Sequence, residues 1–137
     1  MLIREYTPKD IPAIFKINRL CHKYPQPNIE LLEHVHSGSL WVAEVDGVVA
    51  GFLLSIFRDG PYVYNVAVLP QFRGKGVATK LFEAFELENI EYGFYYLYVD
   101  LQNPAQKLYF DLGYRVVNIK KDFYGASKNA LVMIKRN

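Results

Sequence analysis

Hydrophobic positions along the chain change period several times, and each change marks an element. Leu2–Tyr6 reads as a first strand. Thr7 and Pro8 then supply an N-cap and a proline at the first helical position, with Asp10 in the first turn. Ile11, Ile14, Phe15 and Ile17 to Cys21 form a helical apolar face, which Tyr24-Pro25-Gln26-Pro27 interrupts. Asn28 can cap a second helix over Ile29–His36, closed by Gly38. Leu40–Val45 and Val48–Phe57 are strand-like, and Asp46-Gly47 between them is a hairpin turn. Tyr62–Leu69 is a further strand, ended by Pro70. Val77, Ala78, Leu81, Phe82 and Phe85 then mark a helix whose polar side carries Lys80, Glu83 and Glu86. Phe94–Leu101 is a strand, Asn103-Pro104 starts a helix through Leu112, and Gly113 stops it. Tyr114–Lys120 and Asn129–Lys135 close the chain as strands. The order is β-α-α-β-β-β-α-β-α-β-β, with no internal repeat and no linker. This predicts an α/β (α+β) chain: a mixed sheet with one βαβ crossover, Tyr62–Leu101, and helices on its faces.

Composition narrows the class. At 137 residues, 51% of them apolar, the chain is sized for one domain spanning residues 1–137 with its own core. Its 11 tyrosines stand out, because every buried hydroxyl needs a partner. A net charge of +2 gives no reason to expect nucleic acid or a membrane as partner. The one cysteine, Cys21, has no internal disulfide partner and reads as a small apolar residue, which fits a reducing, cytoplasmic setting. Residues 1–10 lack the apolar stretch of a signal peptide, and no apolar run approaches the ~20 residues that span a bilayer.

The strongest chemical signal is Arg73-Gly74-Lys75-Gly76-Val77-Ala78-Thr79, between a strand and a helix. Amides at a helix start are unpaired, the helix dipole favours negative charge there, and glycines let a ligand approach the backbone. The geometry suits a phosphate or pyrophosphate; a tight turn with a basic, solvated tip is the alternative. The stretch is not a P-loop, because Leu69 stands where that motif has its first glycine. Nor is it a dinucleotide fingerprint, because Thr79 replaces the third glycine.

The stretch does match another pattern. Arg73-x-x-Gly76-x-Ala78 resembles the [Q/R]-x-x-G-x-[G/A] acetyl-CoA loop of the GNAT superfamily of N-acetyltransferases. Asn65 to Pro70 is similar to the strand before that loop, and Asn103–Tyr114, ending LYFDLGY, to a later segment of the same family. Within the family the chain most resembles the branch that acetylates ribosomal proteins and other protein N-termini. The resemblance implies a mixed, mostly antiparallel seven-stranded sheet, with a splayed parallel pair at strands 4 and 5 and about four helices. It also implies acetyl-CoA as cofactor. The amides of Arg73, Gly74, Lys75, Gly76, Val77, Ala78 and Thr79 would hold its pyrophosphate. The backbone of Val66, Ala67 and Val68 would pair with its pantetheine arm. Asn103 would hydrogen-bond it, and Tyr109 would sit beside its sulfur.

Acyl transfer from a thioester to an amine by direct attack needs a neutral amine, a donor for the developing oxyanion and a proton for the leaving sulfur. The resemblance assigns the proton to Tyr109, whose phenol (pKa about 10) lies near a thiol at about 8.5. It assigns the oxyanion donor to a backbone amide near Val66–Val68. The branch carries a glutamate on the strand before its asparagine, but Tyr98 stands there. Asp100, on the same strand face, is the acidic candidate for the base, and Tyr62 and Tyr64 are candidates for positioning water. Asn103 also precedes Tyr109 by six residues where the family has seven, which leaves Gln102 or Asn103 for the cofactor-facing role.

For the acceptor, Tyr24-Pro25 and Phe123-Tyr124 resemble segments that line the peptide groove of N-terminal acetyltransferases, with Lys128-Asn129 where that branch has Glu-Asp. Tyr24, Pro25, Tyr62, Tyr64 and Tyr124 are the candidate acceptor-site residues. The acceptor is then a peptide N-terminus or a small amine such as a polyamine, amino acid or antibiotic. A non-catalytic acyl-CoA-binding module is the third reading. Monomer and homodimer are both open. His34 and His36 face different ways on their helix and predict no metal site, and His22 carries no signal.

Overall fold

The computed structural model describes residues 1–137. Its strands are β1 (Leu2–Glu5), β2 (Ser39–Val45), β3 (Val48–Phe57), β4 (Pro61–Val68), β5 (Phe94–Asp100), β6 (Arg115–Lys120) and β7 (Ala130–Arg136). Its helices are α1 (Ile11–Cys21), α2 (Asn28–Ser37), α3 (Val77–Glu88) and α4 (Gln106–Asp111). The seven strands form one sheet in the order β1-β2-β3-β4-β5-β7-β6. Every pairing is antiparallel except β4–β5.

Both faces of the sheet are covered, which explains the near-continuous apolar run of β3. One face carries α3 and α4. There Leu81, Phe82, Phe85 and Tyr109 pack with Leu53, Val63, Tyr95, Leu97 and Met133. The other carries α1 and α2, with Ile14, Ile17, Leu31 and Val35 on Leu40, Val42, Phe52 and Leu54. Alternation does the sorting: Val42 and Ala43, and likewise Phe52 and Leu53, point to opposite layers. Asp46 and Gly47, at φ 51° and 77°, form the expected hairpin turn with both central residues left-handed.

Several local expectations are corrected. Pro8 opens a 3-10 turn over Pro8–Asp10, and α1 starts only at Ile11. Pro12 lies in the first turn of α1, where its missing N–H costs no hydrogen bond. Asp10 leaves the solvent to accept both arms of the Arg4 guanidinium at 2.8 and 2.9 Å and the Thr7 amide at 2.7 Å. Asn28 does not cap α2: Pro27 holds that place and Asn28 is the first helical residue. Gly38 does end α2, but in an extended conformation. Glycine is required there by close approach, since a Cβ would meet the Ser55 carbonyl oxygen at 2.1 Å. Glu86, expected on the wet side of α3, accepts from the Tyr114 hydroxyl at 2.9 Å and from Lys135 Nζ at 2.7 Å.

One irregularity opens the molecule. Leu54 faces Asn65 and Ser55 faces Val63, so Tyr64 bulges out of β4. On its other edge β4 pairs with β5 only at Tyr62–Tyr96 and Val63–Leu97. Beyond these pairs the parallel strands part, and the end of β4 from Val66 to Val68 faces a cleft. No helix is long and apolar enough to cross a membrane.

Candidate active site

The cleft between the parted strands encloses about 1010 Å³. Tyr24, Val66, Ala67, Val68, Arg73, Gly74, Gly76, Val77, Ala78, Thr79, Asp100, Asn103 and Tyr109, all expected from the sequence, line it. Its charged wall is mostly basic: Lys23, Arg73 and Lys128 against the single carboxylate of Asp100.

At one end lies the glycine loop. Gly74 and Gly76 sit at φ 75° and 82°, the left-handed region that favours glycine, and Gly76 caps α3. The six successive amides from Gly74 to Thr79 donate to no acceptor in the chain; the first amide of the helix to find one is that of Lys80, bonded to the Gly76 carbonyl. Six donors at the positive end of a 12-residue helix form an anion-binding cradle. The Arg73 side chain turns back, and its Nε donates to the Val68 carbonyl at 2.8 Å. It therefore ties the loop to the end of β4. The Lys75 side chain does not line the cleft: its ammonium lies 5.8 Å over the Phe72 ring.

Tyr109 comes from α4 on the far wall. It is buried, with Phe82 at 5.8 Å between ring centroids. Two other buried tyrosines satisfy their hydroxyls inside the protein, Tyr95 on Asn137 and Tyr114 on Glu86, both at 2.9 Å. The Tyr109 hydroxyl bonds to no group of the chain, and it is not sealed off either, since Trp41 Nε1 is the one sealed polar atom without a partner. It therefore opens on the cleft. Burial pushes it up to about 12, so it is fully protonated at neutral pH.

Asp100 and Asn103 are partly committed to the turn that leads into α4. Asp100 Oδ1 accepts the Gln102 amide and Asn103 Oδ1 accepts the Ala105 amide, each at 2.9 Å. Asn103 thus caps the segment, but the regular helix begins at Gln106, later than the Asn103-Pro104 pair predicts. Gln102 lines the cleft as well, so both candidates for the cofactor-facing role are present.

Tyr62, Tyr64 and Tyr124 do not line this cleft, and neither does Pro25. Tyr64, the bulged residue, turns onto the α1–α2 layer instead. Tyr64 donates to Glu30 at 3.1 Å and packs on His34 at 4.0 Å. Tyr62 joins an aromatic groove with Tyr96 (4.9 Å) and Tyr98 (5.6 Å), capped by the Arg58 guanidinium at 4.2 Å. Burial pushes the Tyr62 hydroxyl up to about 12, against the opposing pull of Arg58. Tyr98, standing where the branch has glutamate, packs on Phe123 at 4.9 Å, and Phe123 on Tyr124 at the same distance. Burial raises the Tyr124 hydroxyl, with smaller contributions from Tyr62, Asp100, Tyr109 and Tyr98. Tyr124 thus ends the row of packed rings. Lys128 Nζ lies 4.6 Å over the Tyr24 ring, so the α1–α2 loop and the β6–β7 loop meet at the cleft mouth.

The sequence reading missed His22. It lines the cleft, and its Nε2 lies 2.8 Å from Asn65 Oδ1. No local signal could mark it, because its partner is 43 residues away. No group of three His, Cys, Asp or Glu residues is assembled that could hold a metal.

A crossover helix that offers free amides beside a split parallel pair makes an anion-binding cleft, and the comparison with known proteins gives the class. Residues 36–116 match the GNAT acetyltransferase domain, and the chain belongs to that family. An uncharacterized N-acetyltransferase of Methanocaldococcus jannaschii is 30% identical, over 99% of this chain and 92% of its own length. An N-alpha-acetyltransferase of Sulfurisphaera tokodaii is 31% identical, over 96% and 90%. Among solved structures, the ribosomal-protein-S18-alanine N-acetyltransferase of Escherichia coli superposes with a TM-score of 0.87 at 23% identity, covering 98% of this chain and 92% of that one. A GNAT acetyltransferase of Elizabethkingia anophelis with acetyl-CoA bound superposes at 0.83 and 18% identity, covering 99% and 97%. These likenesses bear out the expected fold, including the split parallel pair.

Proposed function

We propose that the protein moves an acetyl group from acetyl-CoA to the α-amine of a protein or peptide, by direct attack in a ternary complex. The observation that carries this reading is the row of six free amides from Gly74 to Thr79 at one end of a cleft into which the Tyr109 hydroxyl opens. The residues fit the cofactor. The loop amides would hold its pyrophosphate, with the basic wall adding favourable field. The free edge of β4 at Val66–Val68 would accept its extended arm, as a sheet edge accepts a strand. Bound acetyl-CoA supplies the acyl group activated as a thioester. Asn103 keeps its amide nitrogen for the cofactor. Tyr109, held protonated at neutral pH by its burial, would donate to the departing sulfur.

Two features favour a peptide acceptor. The aromatic groove of Tyr62, Tyr96, Tyr98, Phe123 and Tyr124 offers an elongated apolar wall next to the cleft. The cleft itself holds one carboxylate among several cations, which does not suit a polyamine. The N-alpha-acetyltransferase relative points the same way. A cytoplasmic location fits the single free cysteine.

The test is turnover of acetyl-CoA with a peptide library and with a panel of polyamines, amino acids and aminoglycosides. Peptide turnover with a free N-terminus, abolished when that terminus is blocked, is the expected result. Turnover of small amines alone overturns the acceptor assignment. Acetyl-CoA binding without any turnover supports the non-catalytic module instead.

A further inference from the structure

We propose that His22 is the general base that takes the proton from the attacking amine, through Nδ1, from a different wall of the cleft than the strand on which the branch carries its glutamate. This rests on the acetyltransferase reading above and adds the residue that reading lacks.

The hydrogen-bond network is anchored on the backbone carbonyl of Gln26. The Gln26 carbonyl oxygen can only accept, and Asn18 Nδ2 lies 3.0 Å from it, so the orientation of the Asn18 amide is determined. Asn18 Oδ1 must then accept, and Asn65 Nδ2 donates to it at 3.1 Å. The second hydrogen of Asn65 Nδ2 goes to Gln26 Oε1 at 3.0 Å. Both amide hydrogens of Asn65 are used, and its Oδ1 faces His22 Nε2 at 2.8 Å. An amide oxygen cannot donate. Nε2 therefore carries the hydrogen, and in the neutral ring Nδ1 carries the lone pair. Nδ1 bonds to no group of the chain, is not a sealed atom, and belongs to a residue that lines the cleft.

Two buried asparagines, 0% and 7% exposed, thus hold one imidazole in one tautomer. Protonation of Nδ1 breaks none of these bonds, because Nε2 goes on donating to Asn65. The network therefore accommodates both states of a base. Burial lowers the pKa of His22 below its ordinary value and the Arg73 charge adds to this, while the Asn65 hydrogen bond opposes both. The other titratable groups that line the cleft with His22 and Arg73 are Cys21, Lys23 and Tyr24 on its own segment and, on the remaining walls, Asp100, Tyr109 and Lys128. At neutral pH the ring is uncharged and able to accept.

The step balances. The amine nitrogen bonds to the acyl carbon as the carbon–sulfur bond breaks. The nitrogen's proton goes to His22 Nδ1, and the sulfur takes a proton from Tyr109 Oη. Solvent then removes the proton from His22 and restores that of Tyr109, leaving amide and free thiol.

The experiment compares wild type, His22→Gln and Asp100→Asn with acetyl-CoA and a turned-over amine, alongside ring nitrogen NMR of the wild type. For His22→Gln the expected results are kcat lower by about 100-fold, acetyl-CoA KM unchanged, and loss of the acid limb that wild type shows below about pH 6.5. The ring spectrum is expected to show hydrogen on Nε2 and none on Nδ1 at neutral pH. His22→Ala is expected to regain turnover with added imidazole. A His22→Gln enzyme that binds acetyl-CoA and keeps both kcat and the acid limb overturns the proposal, as does an acid limb lost in Asp100→Asn alone. Hydrogen on Nδ1 overturns it even if no variant folds. Absence of wild-type turnover with every amine overturns the acetyltransferase reading itself, and this inference with it.

Discussion

At the scale of the residue, tyrosine hydroxyls divide into those paired inside the protein and one left open on the cleft. Tyr95 and Tyr114 are buried and paired, and each stitches a strand to a neighbouring segment through one hydrogen bond. Tyr109 is buried and unpaired with an open face on the cleft. A hydroxyl that bonds to no group of the protein contributes no intramolecular hydrogen bond to folding. Tyr109→Phe is accordingly expected to leave thermal stability unchanged or slightly raised. The same change is expected to lower kcat by about 100-fold or more with acetyl-CoA binding kept. Steady-state kinetics with a thermal melt checks both, and undiminished kcat removes Tyr109 from the chemistry. Tyr109 was legible in the sequence through the LYFDLGY resemblance. His22 was not, because a lone histidine after a helix acquires meaning only from an asparagine brought to it across the fold.

At the scale of the element, short connections set the angles at which the helices meet the sheet. The Arg4–Asp10 pair joins β1 to the turn before α1, and Glu44 on β2 adds a third member, with Oε1 3.2 Å from the guanidinium. The Arg4 guanidinium holds the Asp10 carboxyl below its ordinary value, helped by the Thr7 amide and opposed by burial. A folded-state pKa below the unfolded one stabilises at pH values above the unfolded pKa, and that stability is lost as pH falls through the folded value. Asp10→Asn is expected to cost about 2 kcal/mol at pH 7. The difference from wild type should shrink below about pH 4, where the unfolded carboxyl takes up its proton. Denaturant titrations at pH 7 and pH 3 measure this, and a gap that does not change with pH contradicts the charge-based account. Sequence periodicity located every regular helix and strand of the chain. It misplaced the starts of α1, α2 and α4, because a proline or asparagine at a helix entrance also suits a 3-10 turn or an Asx turn, and neighbouring contacts decide between them.

At the scale of the whole molecule, a bulge at Tyr64 lets two parallel strands separate, and everything proposed for function lies in or beside the resulting gap. The loop amides, Tyr109, the His22–Tyr24 segment and Lys128 come from four separate stretches of chain. Ligand binding there should therefore couple the two halves of the sheet. Saturating acetyl-CoA is expected to raise the melting temperature by several degrees, since ligand at about 100 times its Kd adds about 2.7 kcal/mol. Gly76→Asp is expected to remove the shift. It places a side chain at φ 82° and a negative charge among the free amides. A shift that survives this change assigns the cofactor to another surface.

The sequence by itself determined the element order, the fold family and the glycine loop that opens α3. Those features are local: alternation along strands, helical spacing, and glycines where the backbone must be left-handed. Only the tertiary structure decided which tyrosine hydroxyls are spent on stability and which are free, that Tyr62, Tyr64 and Tyr124 belong to a wall beside the cleft, and that His22 faces it in one tautomer. Each of these depends on partners far apart in the chain, because burial and hydrogen bonding are properties of the packed molecule.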